Sequence, residues 1–295
     1  MNKFFSKFTF ADQVLKGISQ IMLQENRWTG LLFVVGLLFG SWQCGAAAIL
    51  AAACGVIIAK ILKYNQEEID AGLYGFSPAL VGVALVFLFD DTLLIWALVI
   101  IGGVLAAMLQ HFFIVKKIPA YTFPFIVVAW ILVFVLHQFT GIPSSELFLT
   151  KVEPAKYDNF FAITNGYGEV IFQSGKLSGI IFFIAVFINN PVAALYGLTA
   201  SLLGAVLSLM NAQPIDQIQM GLFGFNPVLT AIAFAGKKIT DGLWVLLGCI
   251  ITIAINNFLI DYHVLDIVGG VFTFPFVAAT WITLLIQKIF IKSKV

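Results

Sequence analysis

The stretch Gly72–Leu80, with the sequence GLYGFSPAL, decides the fold of this chain, because it returns 149 residues later as GLFGFNPVL at Gly221–Leu229. Six of the nine positions are identical. The exchanges keep the class of residue: the aromatic Tyr74 gives way to another aromatic residue, and the small Ala79 to another small apolar one. Such a recurrence at one fixed shift indicates an internal repeat, and hence two copies of one structural module.

Both copies contain a polar residue followed by proline, and this pair predicts the start of a helix. Ser77 and Asn226 are of the types that favour the N-cap position, and proline is tolerated at the first helical position that follows. Two glycines three positions apart allow the chain before the helix to be unwound. Backbone groups left unpaired at membrane depth must face protein or a water-filled path. The repeated stretch is therefore a candidate for lining a pore.

The composition indicates an integral membrane protein. Hydrophobic residues make up 61% of the 295 residues and charged residues 11%, against about 45–50% and about 25% in a soluble domain. The net charge of +1 argues against a nucleic-acid partner. The cysteines Cys44, Cys54 and Cys249 have no metal-ligand spacing, and we expect neither a metal nor a cofactor.

Apolar segments divide the chain into two halves with the same order of elements. Each half opens with a short mixed helix, at 11–26 and near 163–174, that is too polar to span a membrane. The apolar segments that follow are 28–43, 45–62, 72–89, 93–115 and 119–138 in the first half, and 177–190, 191–210, 220–236, 242–260 and 267–287 in the second. The expected divisions are a first repeat at 1–138, an extracellular or periplasmic linker at 139–162 and a second repeat at 163–295.

The positions of lysine and arginine predict the orientation in the membrane. With the N-terminus inside and five crossings in each half, thirteen basic residues fall inside and three outside, as cytoplasmic loops require. The inside set is Lys3, Lys7, Lys16, Arg27, Lys60, Lys63, Lys116, Lys117, Lys237, Lys238, Lys288, Lys292 and Lys294, and the outside set is Lys151, Lys156 and Lys176. An odd number of crossings makes the halves opposite in orientation, which is the inverted-repeat plan of many transporters. Both termini are then expected in the cytoplasm.

Two further blocks of sequence recur. Thr122–Phe125 and Thr273–Phe276 both read TFPF. Proline here interrupts a helix and threonine can cap the new start, so a hydroxyl is expected near mid-membrane in each half. A weaker pair, Gln20–Gln24 and Glu169–Gln173, lies at the shift of 149. Residues three apart share a helix face, so each of these blocks predicts one polar and one apolar side chain directed towards the same cleft.

Together, the two pairs of strong blocks and the spacing between them resemble the urea transporter family over nearly the whole chain. The resemblance implies an all-α integral membrane protein with two inverted repeats, each of five transmembrane helices and one half-membrane re-entrant helix. It also implies a homotrimer in membrane lipid, in which every protomer has its own pore at the repeat interface. The implied function is passive, cofactor-free, channel-type passage of urea across an inner or plasma membrane.

The resemblance also assigns roles to individual side chains. It implies that Phe76 and Phe225 form slots for planar urea and that Phe172 is a second slot wall. Gln20 and Glu169 are the implied polar pair that meets the urea nitrogens. The implied neighbouring pore wall is Ile21, Val170, Leu80 and Leu229, and the implied threonines of the central constriction are Thr122 and Thr273. One departure is Leu23, which stands where the family usually has phenylalanine opposite Phe76.

Other interpretations of the same residues stay open at this point. The slot phenylalanines can be ordinary core aromatics, the two threonines helix caps, Gln20 an interfacial residue and Glu169 part of an outer loop. Leu23 motivates an alternative function, a channel of the same fold for another small neutral amide or for ammonia. A membrane-embedded enzyme is an alternative of another class, and it is disfavoured because the sequence shows no nucleophile–base pair or metal cluster.

Overall fold

The computed structural model describes residues 9–149, 159–173 and 175–292. The chain divides into two compact units. The first unit is Met1–Lys151 with Ile171–Gln173, and the second unit is Val152–Val170 with Ser174–Val295. Some sequence predictions concern residues outside these ranges. They are the cytoplasmic location of both chain ends, the middle of the expected linker, and the orientation assigned to Lys3, Lys7, Lys151, Lys156 and Lys294.

The first unit consists of helices joined by short turns. A 3₁₀ turn, Gln20–Met22, follows the first helix. The helices are α1 (Thr9–Ser19), α2 (Arg27–Gly40), α3 (Trp42–Ile61), α4 (Gln66–Asp70), α5 (Phe76–Leu88), α6 (Leu93–Val115), α7 (Phe123–Phe139) and α8 (Glu146–Leu149).

The second unit has helices in a matching order. They are α9 (Asn159–Glu169), α10 (Lys176–Asn189), α11 (Pro191–Met210), α12 (Ile215–Met220), α13 (Phe225–Phe234), α14 (Ile239–Asp261) and α15 (Phe274–Lys292). Helices α2 and α10 both have 14 residues, α3 and α11 both have 20, and α6 and α14 both have 23.

Helix lengths and turns explain why the two strong sequence blocks recur at different shifts. Helix α13 has 10 residues and α5 has 13, so the shift falls from 149 to 146 before α14 begins. The turn that follows α14 is longer than the one that follows α6, so α15 begins 151 residues after α7. The net gain of two residues seen in the sequence is therefore a loss of three within a helix followed by a gain of five in a turn.

Four of the described helices, α3, α6, α11 and α14, are long and apolar enough to cross a membrane. Twenty residues of helix extend for about 30 Å, the thickness of a bilayer's hydrocarbon core. The bounds of α6 and α11 coincide with the apolar segments expected at 93–115 and 191–210. These helices confirm the prediction of an all-α integral membrane protein.

A short helix lies at the centre of each unit. In the first unit α5 packs against α3, α6 and α7, and its residues from Phe76 to Val86 are all buried. In the second unit α13 packs against α11, α14 and α15, and its residues from Phe225 to Ile232 are all buried. At 13 and 10 residues, these helices extend for only about 20 Å and about 15 Å. Each unit thus buries a half-length helix that begins with the repeated stretch.

The starts of these two helices differ from the sequence prediction. Helices α5 and α13 begin one residue before Ser77 and Asn226, and the N-cap positions are taken by Gly75 and Gly224. The prediction that Ser77 and Asn226 are N-caps is therefore wrong. The following proline is still accommodated, because the first four N–H groups of a helix have no partner within it. Both polar side chains lie inside the first turn and are free of any capping role.

The TFPF blocks also begin helices rather than interrupt them. Helix α7 has Thr122 at its N-cap position, but the threonine side chain makes no capping hydrogen bond. The carbonyl of Ala120 accepts the N–H of Phe123 at 2.9 Å, and that of Val271 accepts the N–H of Phe274 at 3.0 Å. A short turn thus precedes each proline, and the proline falls in the first helical turn, where it costs little.

The beginning of the expected linker is attached to the first unit. The N–H of Ser145 donates to the carbonyl of Leu88 at 3.1 Å, and the N–H of Asp90 donates to the carbonyl of Pro143 at 3.0 Å. These two hydrogen bonds hold the segment before α8 against the C-terminal end of α5.

Candidate functional site

In the first unit, the residues after α1 meet the repeated stretch. The side-chain amide of Gln20 donates to the carbonyl oxygen of Ala71 at 2.9 Å, directly before Gly72. Ile21 is buried beside it, and the turn they form packs against α5. The structure therefore brings the predicted polar residue Gln20 to the loop that leads into α5.

The second unit repeats this approach with different side chains. Glu169 is the last residue of α9 and is buried together with Val170, so its assignment to an outer loop is wrong. Helix α9 packs against both α12 and α13. The amide of Asn165 donates to the carbonyl of Gln219 at 2.8 Å, just as the ammonium of Lys16 in the first unit reaches the carbonyl of Asp70 at 3.1 Å.

Leu23 and Phe172 share an unusual backbone conformation. Both have a φ of 58°, in the left-handed region that non-glycine residues rarely adopt. Leu23 is 37% exposed. Phe172, which belongs to the first unit, packs its ring against Phe87, with ring centroids 5.3 Å apart, and against Phe125, with centroids 6.3 Å apart and the rings nearly perpendicular. The predicted slot wall thus lies in an aromatic cluster with α5 and α7.

The remaining predicted residues lie on helices that pack together within each unit. Phe76 and Leu80 are buried on α5, and Phe225 and Leu229 are buried on α13. The predicted threonines are buried at the starts of the neighbouring helices α7 and α15. Their carbonyls accept the N–H groups of Ile126 and Val277 at 3.1 Å and 3.2 Å. Each unit therefore assembles a phenylalanine, a leucine and a threonine around one half-length helix.

A polar network in the first unit was not predicted from the sequence. The hydroxyl of Tyr74, within the repeated stretch, is hydrogen-bonded to the carboxylate of Glu68 and lies 2.8 Å from Nδ1 of His111. The ring of Tyr64 stacks on His111 with centroids 3.5 Å apart, and burial raises the pKa of the Tyr64 phenol. The partners of Tyr74 are 6 and 37 residues away, so no short motif signals them. The one available sign was the exchange of Tyr74 for Phe223 between the copies.

Removal of the Tyr74 hydroxyl is expected to destabilise the protein. A Tyr74→Phe variant leaves the carboxylate of Glu68 and the ring nitrogen of His111 without their shared partner, at a cost of about 1–3 kcal/mol. Thermal unfolding of the purified protein in detergent measures the loss. Tyr64→Phe is the matched control, because its hydroxyl makes no hydrogen bond to any described residue while its ring keeps the stack. Equal unfolding temperatures for the two variants would contradict a stabilising role for the network.

Comparison with known proteins gives the same family as the sequence blocks. A family model described as urea transporter matches residues 11–288. The chain is 26% identical over 242 residues to Urea transporter 1 of Rattus norvegicus, which covers 77% of this chain and 63% of the rat protein. It is 27% identical to Urea transporter 1 of Ovis aries and of Capra hircus, over 94% of this chain and 77% of each relative.

These matches agree with the paired blocks and with the buried half-length helix of each unit. The chain spans somewhat less than two thirds of the rat relative and about three quarters of the other two. The family model extends from α1 to the last helix, so it includes every predicted site residue. This chain belongs to the urea transporter family.

Proposed function

We propose that this protein transports urea across a membrane, passively and without a cofactor. The observation that carries the proposal is the family match over residues 11–288. Relatives that align with most of the chain are named Urea transporter 1, and members of a transporter family are not enzymes. The membrane-embedded enzyme is therefore set aside as an alternative.

The side chains assembled in each unit suit a flat, uncharged solute rich in N–H donors. Urea needs apolar walls for its two faces and a row of acceptors along its edge, because each polar group that loses water without a new partner costs roughly 2–7 kcal/mol. Phe76 and Phe225 supply flat walls, and Gln20 and Glu169 supply acceptor oxygens. A continuous row of acceptors lets urea shed its water, whereas an ion would lose its hydration without a matching ring of charge.

The finer architecture is part of the same proposal. It consists of two inverted repeats, residues 1–138 and 163–295, joined by a linker at 139–162, each with five crossings and one half-membrane helix. This architecture is supported by the matching order of helices in the two units and by the excess of basic residues assigned to the cytoplasmic side. We further propose a homotrimer surrounded by lipid, with one pore in each protomer, in an inner or plasma membrane and with both termini in the cytoplasm.

Flux through the purified protein tests the function. In proteoliposomes followed by stopped-flow light scattering, urea should equilibrate far faster than in protein-free liposomes of the same composition, and it should be recovered chemically unchanged. Acetamide and ammonia gradients applied to the same vesicles test the solute range. Fast acetamide flux together with urea flux no greater than that of empty liposomes would overturn the choice of urea.

A second candidate, a channel for another small neutral amide or for ammonia, is favoured by Leu23. Its side chain is 37% exposed and lies at a position where the family resemblance calls for phenylalanine. A leucine is narrower and less flat than a phenyl ring, so it confines a planar solute less. Replacement by phenylalanine is the direct test: if urea is the substrate, Leu23→Phe should lower acetamide flux relative to urea flux. A higher acetamide-to-urea ratio in Leu23→Phe would favour the second candidate.

A further inference from the structure

Asn226 follows the slot phenylalanine Phe225 in the first turn of α13, and its side chain is completely buried. The amide makes three hydrogen bonds to groups outside its own helix. Nδ2 donates to the carbonyl oxygen of Phe272 and to Oδ1 of Asn256, both at 3.1 Å. Oδ1 accepts the N–H of Phe276 at 3.3 Å. Both N–H groups and the oxygen of the amide are thereby used.

Two of these bonds replace one bond of a helix. In an uninterrupted helix the N–H of Phe276 would donate to the carbonyl of Phe272, four residues earlier. Phe272 instead lies outside α15, with a left-handed φ of 43°. The amide of Asn226 occupies the gap and bonds to both groups. It therefore holds a strained backbone residue directly before Thr273 and the first helical turn directly after it.

Among the described residues of the first unit, the matching position carries no amide. Ser77 stands at the matching position, and its buried hydroxyl has no hydrogen-bond partner in the described part of the chain. Gln110, which matches Asn256 in the helix that begins 146 residues earlier, has a buried Oε1 that is also without a partner there. The left-handed residue itself recurs, as Tyr121 with a φ of 48°. The three-bond amide is thus particular to the second unit.

We propose that Asn226 is a positioning residue for urea passage, whose amide fixes the separation of Phe225 and Thr273 in the second unit. Phe225 is adjacent to Asn226 along the chain, and Thr273 is adjacent to the carbonyl that the amide holds. Both residues belong to the proposed transport path, so this inference rests on the proposed function. The amide thus connects Phe225, the flat wall, with Thr273, whose hydroxyl accepts the N–H groups of urea as the solute moves on. Urea passage needs these two groups at one fixed spacing.

Urea flux in proteoliposomes across a range of pH tests this role in Asn226→Asp and Asn226→Ala. A neutral Asp carboxyl has one O–H donor and one carbonyl acceptor, so it can keep the bonds to Phe272 and Phe276 and loses only the bond to Asn256. The ionised form only accepts and would repel the carbonyl of Phe272. The hydrogen-bond partners of Asn226 on Asn256, Phe272 and Phe276 include no titratable side chain. Relative to wild type at each pH, Asn226→Asp should be near full flux at about pH 5 and fall about tenfold by about pH 9. Asn226→Ala should be low throughout.

Asn257→Asp is the matched control. Asn257 is also buried, on the same helix as Asn256, but its side-chain oxygen accepts from the hydroxyl of Ser208 on α11 at 3.5 Å and not from a neighbour of Phe225 or Thr273. Its flux relative to wild type should not change with pH. A pH-independent ratio for Asn226→Asp, a control with the same profile, or failure of Asn226→Asp to fold at both pH values would overturn the positioning role. Absence of urea flux in wild type would instead refute the proposed function. If Asn226→Ala does not fold, Asn226→Asp alone decides the test, because its flux at low pH is compared with the flux of the same variant at high pH.

Discussion

Replacement of Gly72 by alanine is expected to prevent the first unit from folding. Gly72 has a φ of +81°, and an alanine Cβ there would lie 2.5 Å from the backbone nitrogen of Gly17 and 2.6 Å from the carbonyl carbon of Lys16. Backbone atoms of α1 cannot rotate away, so steric overlap adds to the strain of a left-handed alanine. We expect a loss of more than about 4 kcal/mol, measured as the yield of monodisperse protein in detergent and its unfolding temperature.

Gly270→Ala separates the two causes. Gly270 has a φ of +100°, but a Cβ there would have no heavy atom within 4 Å, so only strain of about 1–2 kcal/mol is expected. Gly221→Ala should behave like Gly72→Ala, since its Cβ would lie 2.5 Å from the carbonyl carbon of Asn165. If Gly72→Ala were no less stable than Gly270→Ala, the close approach of α1 to the repeated stretch would be disproved.

The second large effect is on transport rather than folding. Thr122→Val and Thr273→Val keep the shape of the side chain but remove a buried hydroxyl at the start of α7 or α15. If urea passes these hydroxyls, each loss leaves the solute short of an acceptor, at a cost of at least about 2 kcal/mol. This cost corresponds to roughly thirtyfold slower flux for each single variant. The double variant should be slower still, as measured by stopped-flow light scattering on proteoliposomes.

Thr199→Val provides the control for this pair. Thr199 is exposed, and its hydroxyl bonds to the carbonyl of Leu195 within its own helix at 2.9 Å, so the same chemical change there should leave urea flux within about twofold of wild type. Folding of all variants is checked by their unfolding temperatures. A folded double variant with the flux of Thr199→Val would show that the two threonines do not line the path.

The long helices could be predicted from the sequence because their limits are set by solvation. The spans 93–115 and 191–210 coincide with α6 and α11, since a continuous apolar run bounded by polar residues has one favourable placement in a membrane. The repeat was equally visible. Close recurrence of GLYGFSPAL requires no knowledge of contacts, and neither does the recurrence of TFPF.

The partners of buried polar side chains could not be predicted in the same way. Asn226 is of a residue type that favours the N-cap position, yet it lies inside the first helical turn. Its side chain is hydrogen-bonded to residues 30 to 50 positions away in the chain. Tyr74 similarly meets His111 on another helix. Local preference for an N-cap is worth only about 1 kcal/mol, and three hydrogen bonds in a dry interior outweigh it.

The amino-acid sequence alone thus determined a membrane-embedded all-α chain, the recurrence of its sequence blocks and its family, because hydrophobicity and repetition are properties of residues and their order. Only the tertiary structure decided where the half-length helices begin, which glycines must remain glycine and which amide holds Thr273 in place. These features depend on groups far apart in the chain that are brought into contact, and a hydrogen bond or a steric overlap exists only at contact distance.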